Sequence, residues 1–135
     1  MTIKDILETY RTIAVIGLSS QPWRPSYSVS QYMQNAGYRI IPVNPHEREV
    51  LGERAYPSLD DVPETVEIVD IFRRPEYVPE IVEAAIRRNC RVIWMQLGVV
   101  NDAAAARARA AGLDVVMDRC ILQDHRNYGV RPLGT

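Results

Sequence analysis

The sequence of 135 residues has no apolar run near the roughly 20 residues needed to cross a bilayer. Its N-terminus, MTIKDILETYR, has no long apolar stretch of the secretory type, so a cytoplasmic protein is expected. Cysteine is scarce: Cys90 and Cys120 lie far apart without metal-ligand spacing, which points to reduced thiols in place of a disulfide or a zinc site. His46 and His125 have no second ligand at helical spacing, and no metal site is expected. A formal net charge of -1 leaves no global attraction to nucleic acid, so an anionic ligand has to be met by local arginines. Low-complexity tracts are missing as well. Apolar and charged fractions of 47% and 24% are those of an ordinary globular chain, so residues 1–135 read as one domain with a sizeable core.

What is present is a regular alternation of helical and extended patterns. Ile3, Ile6, Leu7 and Tyr10 recur at helical spacing, giving a short helix over about 2–10. The apolar run Thr12-Ile13-Ala14-Val15-Ile16 suits a central parallel strand covered on both faces. A helix over about 27–36 stops at Gly37, and Tyr38 to Val43 forms the next strand, with pairing expected to finish near Pro42. A short edge strand is expected between about 50 and 56, and Ser58 with Asp61 marks one helical turn before Pro63. Strands over about 67–72, 91–97 and 114–117 alternate with helices over about 76–88 and 102–111. A last helix is expected from about 120 to 125, and residues from Arg131 onward are expected to fray.

Helix stops at Gly37, Asn89 and Gly112, each followed by an apolar strand, imply right-handed crossovers. The expected fold is α/β, a Rossmann-like doubly wound, mainly parallel five-stranded sheet with helices on both faces. Ligands of such sheets sit outside the carboxyl ends of the strands. Those ends carry Gly17-Leu18-Ser19, Asn44-Pro45, Phe72-Arg73-Arg74-Pro75 and Gln96-Leu97-Gly98, which are expected to face one crevice.

The strand-to-helix loop from Gly17 to Ser26 is where backbone N–H groups and a helix dipole converge on phosphate. It lacks the second and third glycines of G-x-G-x-x-G, which strains the usual dinucleotide reading. An NAD enzyme of the usual kind also needs an acid at the end of the second strand, where this chain has Asn44-Pro45. A carboxylate there would repel a ribose phosphate; neutral asparagine is compatible with one. Arg24, Arg48, Arg73 and Arg74 fall near the crevice in sequence order and are candidates for charge-assisted phosphate contacts.

Gly17-x-Ser19 with Pro22, Arg24 and Ser26, then Gly37-Tyr38-Arg39-x-x-Pro42-Val43-Asn44-Pro45, Asp70-x-Phe72-Arg73-Arg74-Pro75, Trp94-x-Gln96-x-Gly98 and Asp118-Arg119-Cys120-Ile121 resemble the small stand-alone coenzyme A-binding proteins. These are similar to the N-terminal coenzyme A-binding domain of succinyl-CoA and ADP-forming acyl-CoA ligase α subunits. The resemblance covers roughly Ile13 to His125. It implies a Rossmann-like domain holding coenzyme A, free or acylated, without obligatory chemistry of its own. The diphosphate is expected near Gly17, Leu18 and Ser19, the adenosine near Asn44 and Pro45, and the pantetheine toward Phe72 to Pro75 or Gln96 to Gly98. The ligase relatives transfer phosphate through a histidine on a following domain, so ligase activity is not expected of this chain alone; a partner subunit could restore it.

Each feature has a second reading. Gly17 also fits a simple tight turn, Ser26 a helix cap, Asn44-Pro45 a turn pair and Arg73-Arg74 a solvated pair. Trp94 and Met95 read as core or as a subunit interface, which leaves a homodimer open, while the Gln96 amide needs partners and suits a site. Cys120 reads as a small buried hydrophobe or as a thiol able to form a mixed disulfide with coenzyme A. Asp70 falls mid-strand and Asp118 suits a cap of the final helix; no nucleophile-base set is evident. For the whole chain two alternatives remain: a nicotinamide-type nucleotide enzyme on the same scaffold, and a flavodoxin-like interaction module using Trp94 or Tyr128.

Overall fold

Continuous apolar strands need a helix on each face, and the chain supplies them in turn. The computed structural model describes residues 1–132. In chain order the elements are α1 (Ile3–Thr9), β1 (Thr12–Ile16), α2 (Pro25–Asn35), β2 (Arg39–Val43), β3 (Glu49–Val50), β4 (Glu53–Arg54), β5 (Ile68–Ile71), α3 (Val78–Arg87), β6 (Val92–Met95), α4 (Asp102–Ala110), β7 (Asp114–Val116) and α5 (Ile121–Asn127). Short 3-10 turns cover Leu59–Asp61 and Pro75–Tyr77.

The main sheet has five strands in the order β2-β1-β5-β6-β7, every neighbour parallel. From β1 the chain passes to β2 on one side and then crosses to β5 on the other, so the strand order switches between β1 and β5. That switch is where two loops leave the sheet in opposite directions and open a crevice. The expected Rossmann-like α/β fold is thereby seen.

Alternation along each strand divides the core. Ala14, Ile16, Val69 and Ile71 face the layer of α3 and α4, with Ile81, Val82, Ala105 and Ala108. Ile13, Val15, Ile68 and Trp94 face the layer of α1, α2 and α5, with Leu7, Met33 and Ile121. Burial of these side chains from water supplies the main drive to fold. Trp94 and Met95 are both fully buried, which corrects the subunit-interface reading and removes Trp94 as a partner contact. The Trp94 indole N–H donates to the Arg119 carbonyl at 2.9 Å, satisfying its polar end.

Several local expectations change. The edge strand near 50–56 is a two-residue antiparallel hairpin, β3 with β4, and Tyr56 alone bridges to Val43. The Pro42 carbonyl accepts from the Tyr56 N–H at 3.0 Å, so the edge of β2 is covered. Ser26 does not cap α2, which starts at Pro25 with Arg24 in the cap position. Asp118 does not cap α5; Cys120 holds that position without a side-chain bond. Arg131, expected to fray, donates through its backbone N–H and its Nε to Glu8 at 2.9 and 3.2 Å. The rest of that expectation, residues 133–135, lies outside the described residues. Among the described residues no helix is long and apolar enough to cross a membrane, and no group of three or more His, Cys, Asp or Glu is placed to hold a metal ion.

Candidate functional site

The loop after β1 is built on a glycine that nothing larger can replace. Gly17 has φ of +91°, and an added Cβ would lie 2.6 Å from the Phe72 carbonyl oxygen. Its N–H donates to the Val43 carbonyl at 2.8 Å, and the Phe72 N–H donates to Ile16 at 2.9 Å. The ends of β1, β2 and β5 are thus fastened together at one point. Asn44 adds a third tie, its Nδ2 donating to the Leu18 carbonyl at 3.0 Å.

Beyond Gly17 the chain folds back on its own side chains. The Ser26 hydroxyl, from the first turn of α2, accepts from the Ser19 N–H at 3.1 Å, and the Ser19 hydroxyl accepts from the Gln21 N–H at 3.1 Å. Glu47 arrives from the β2–β3 connection, and its carboxylate accepts from the Ser20 N–H at 2.7 Å. An anion therefore already sits against a backbone N–H of this loop.

A cavity of about 440 Å³ lies against the loop, lined among others by Gly17, Ser19, Arg24, Ser26, Asn44 and Phe72. A smaller one of about 230 Å³ adjoins it, with Gly17, Asn44, Pro45, His46, Phe72 and Arg73. A third, of about 520 Å³, shares Pro25 and Phe72 with the first and continues along Val29, Arg73, Arg74, Gln96, Gly98 and Cys120. These volumes fall in or near the ~300–1,000 Å³ range of small-molecule sites. Arg24 and Arg73 stand toward the loop end. Arg24 Nε donates to the Gln21 side chain at 3.0 Å, and the Arg73 guanidinium lies over the Tyr77 ring, 4.3 Å from its centroid.

Gln96 lines the third cavity and is bonded to Asp70, which does not line it. Asp70 is 2% exposed and Gln96 4% exposed, and Gln96 Nε2 donates to Asp70 Oδ1 at 2.6 Å. Burial pushes the Asp70 carboxyl up to about 7, against a smaller lowering by the Gln96 bond. At the rim, the Gly98 N–H donates to the Asp118 carboxylate at 2.8 Å. Asp118 has a φ of +60°. The Cys120 thiol is half-buried beside this cavity, whereas burial pushes the Cys90 thiol up to about 11, keeping it protonated and unreactive in the core.

A family model for the CoA binding domain matches residues 11–126. The chain belongs to the CoA binding domain family. The domain's relatives include YneT of Bacillus subtilis, an uncharacterized protein 44% identical over 123 residues, 91% of each chain. A hypothetical protein from Pyrococcus horikoshii OT3 superposes with a TM-score of 0.89 at 40% identity, covering 93% of this chain and 91% of that one. The domain also matches acetate–CoA ligase [ADP-forming] I of Archaeoglobus fulgidus at 29% identity over 124 residues, 92% of this chain but only 17% of the ligase. The chain is therefore similar to a small part of that enzyme.

Within the CoA binding domain the expected site residues gather as follows. Gly17, Ser19, Arg24, Ser26, Asn44, Pro45, Phe72, Arg73, Arg74, Gln96 and Gly98 line the three adjoining cavities. Leu18 does not: its side chain is fully buried in the core, and only its carbonyl reaches Asn44. Arg48, a candidate for phosphate, is absent from the lining of all three. Sequence reasoning missed Gln21, His46 and Glu47 in the loop cavity and Val29 in the apolar one. A polar segment directly after Asn44-Pro45 was the available signal for His46 and Glu47.

Proposed function

We propose that the crevice binds coenzyme A, free or acylated, and holds it without chemistry of its own. The observation that carries this reading is the change of character along one continuous crevice. The loop end offers Arg24 with the polar side chains of Ser19, Gln21 and Asn44; beyond Pro25 and Phe72, which both cavities share, the far end adds Val29 and Val99, with Arg73 and Arg74 along it. An anionic nucleotide joined to a long, mostly apolar arm matches that gradient; a dinucleotide with polar groups at both ends does not. Family membership supports the same ligand.

In this reading the diphosphate meets the Gly17–Ser19 turn and Arg24, where charge-assisted donors act in a partly dehydrated cleft. The absence of a Cβ at Gly17 lets the Phe72 carbonyl approach, which sets the loop against the end of β5. Asn44, neutral and tied to Leu18, takes the adenosine end without repelling a ribose phosphate. The pantetheine arm crosses Phe72 toward Gln96 and Cys120.

Calorimetry with coenzyme A, its form lacking the ribose phosphate, and NADH tests the proposal. Saturable one-to-one binding of coenzyme A is expected, weaker binding of the dephosphorylated form, and none of NADH. Binding of NADH in preference to coenzyme A would overturn it.

A further inference from the structure

The Asp70–Gln96 pair has a polarity that the coenzyme A reading leaves unused. A carboxylate can only accept, so ionised Asp70 compels Gln96 to turn its Nε2 inward, as the 2.6 Å bond shows. Gln96, one residue beyond β6, follows Trp94 by two and so lies on the same face, toward α2, where the third cavity lies. Among the described residues the Ser30 hydroxyl is the one buried side-chain oxygen or nitrogen without a partner, and the bond to Asp70 is the one the Gln96 amide makes. The Gln96 carbonyl is thus neither bonded nor sealed off, on a side chain that lines the crevice.

Protonating Asp70 permits the reverse arrangement. A neutral carboxyl can donate its O–H to the Gln96 carbonyl, and the amide then turns its NH₂ to the crevice. Nothing nearby competes for the proton. The strands on either side present Val15 and Trp94. On the helices and loop covering this face, Tyr32 bonds His125, Arg119 bonds Asp124 and Glu8 bonds Arg131. Cys120, Arg73 and Arg74 stand along the same cavity as Gln96, outside the pair.

We propose that Asp70 decides which end of the Gln96 amide meets the ligand, so that the ionised pair favours a free thiol and the protonated pair an acyl thioester. A thiol S–H can donate to an amide carbonyl, whereas a thioester oxygen can only accept from an amide N–H. Gln96 is then a specificity residue and Asp70 a positioning residue acting through it. The inference rests on the coenzyme A reading of the crevice.

The test compares the affinities of coenzyme A and acetyl-CoA at about pH 5.5 and about pH 8.5. The preference for the thiol is expected to rise about threefold to tenfold between the two, the worth of one hydrogen bond. Asp70→Asn should give a ratio that does not change with pH, since neutral asparagine can bond Gln96 in either sense. Should that variant fold poorly, carbon NMR of the Asp70 carboxyl in the unaltered protein serves instead. Linkage requires acetyl-CoA to raise its midpoint and coenzyme A to lower it. A constant ratio, or a midpoint indifferent to which ligand is bound, overturns the inference while leaving the coenzyme A site standing. Failure of both ligands to bind at either pH overturns the site and the inference together.

Discussion

Gly17 and Phe72 meet so closely that a Cβ on the glycine would stand 2.6 Å from the phenylalanine carbonyl oxygen. This contact joins the loop that follows β1 to the end of β5, the two strands between which the sheet order switches. Because backbone oppose backbone there, neither side can move away without breaking the bond from the Phe72 N–H to Ile16. The crevice owes its shape to that approach.

Gly17→Ala is expected to lower stability by about 2 kcal/mol or more, combining the positive φ with the clash. Chemical denaturation measures the loss, and coenzyme A affinity should fall in the same variant. Gly52→Ala, at a positive φ but in open space, should cost less.

Glu47 occupies the Ser20 N–H with a carboxylate inside the loop cavity. Replacing it, as Glu47→Gln, removes a negative charge from the place proposed for a diphosphate. Coenzyme A affinity is expected to rise about threefold to tenfold, with the larger gain at low ionic strength. Titrations at two salt concentrations check both parts.

Arg73 is held at the crevice by the Tyr77 ring. Arg73→Ala should weaken coenzyme A binding roughly tenfold or more if its guanidinium meets phosphate. Tyr77→Leu should weaken it less, because the cation remains and only its seat is lost. Calorimetry on both variants gives the order.

The Asp70 carboxyl, raised by burial from 3.8 to about 7, works against stability as pH rises. The folded protein binds this proton more tightly than the unfolded chain, so the contribution is fully present below about pH 4 and is lost between there and about pH 7. Asp70→Asn should therefore stabilise the protein at pH 8. Near pH 4 it should change little. Thermal melts at the two pH values decide it.

The main sheet was legible because each strand is an apolar run closed by a helix stop such as Gly37 or Gly112, and such patterns survive in one dimension. The strand-end residues were legible for the same reason: parallel strands of one sheet deliver their ends to one rim. What escaped were bonds between side chains and distant backbone. Glu47 reaches Ser20 across 27 positions, and Asp118 reaches Gly98 across 20. Neither leaves a periodic trace. Of the two readings of Ser26, helix cap and site residue, the cap fails because Pro25 starts the helix one residue earlier and frees the Ser26 hydroxyl for the loop. The β3–β4 hairpin was too short and too polar to show any alternation.

The central claim is that one crevice, from Gly17 to Gly98, receives one coenzyme A molecule along its length. Amide NMR of labelled protein titrated with coenzyme A tests it most directly. Resonances of Ser19, Asn44, Arg73 and Gly98 should shift together and saturate at one equivalent, while those of Asp60 and Arg107, outside the three adjoining cavities, stay in place. Shifts confined to another face, or a spectrum unchanged at millimolar ligand, would contradict the account.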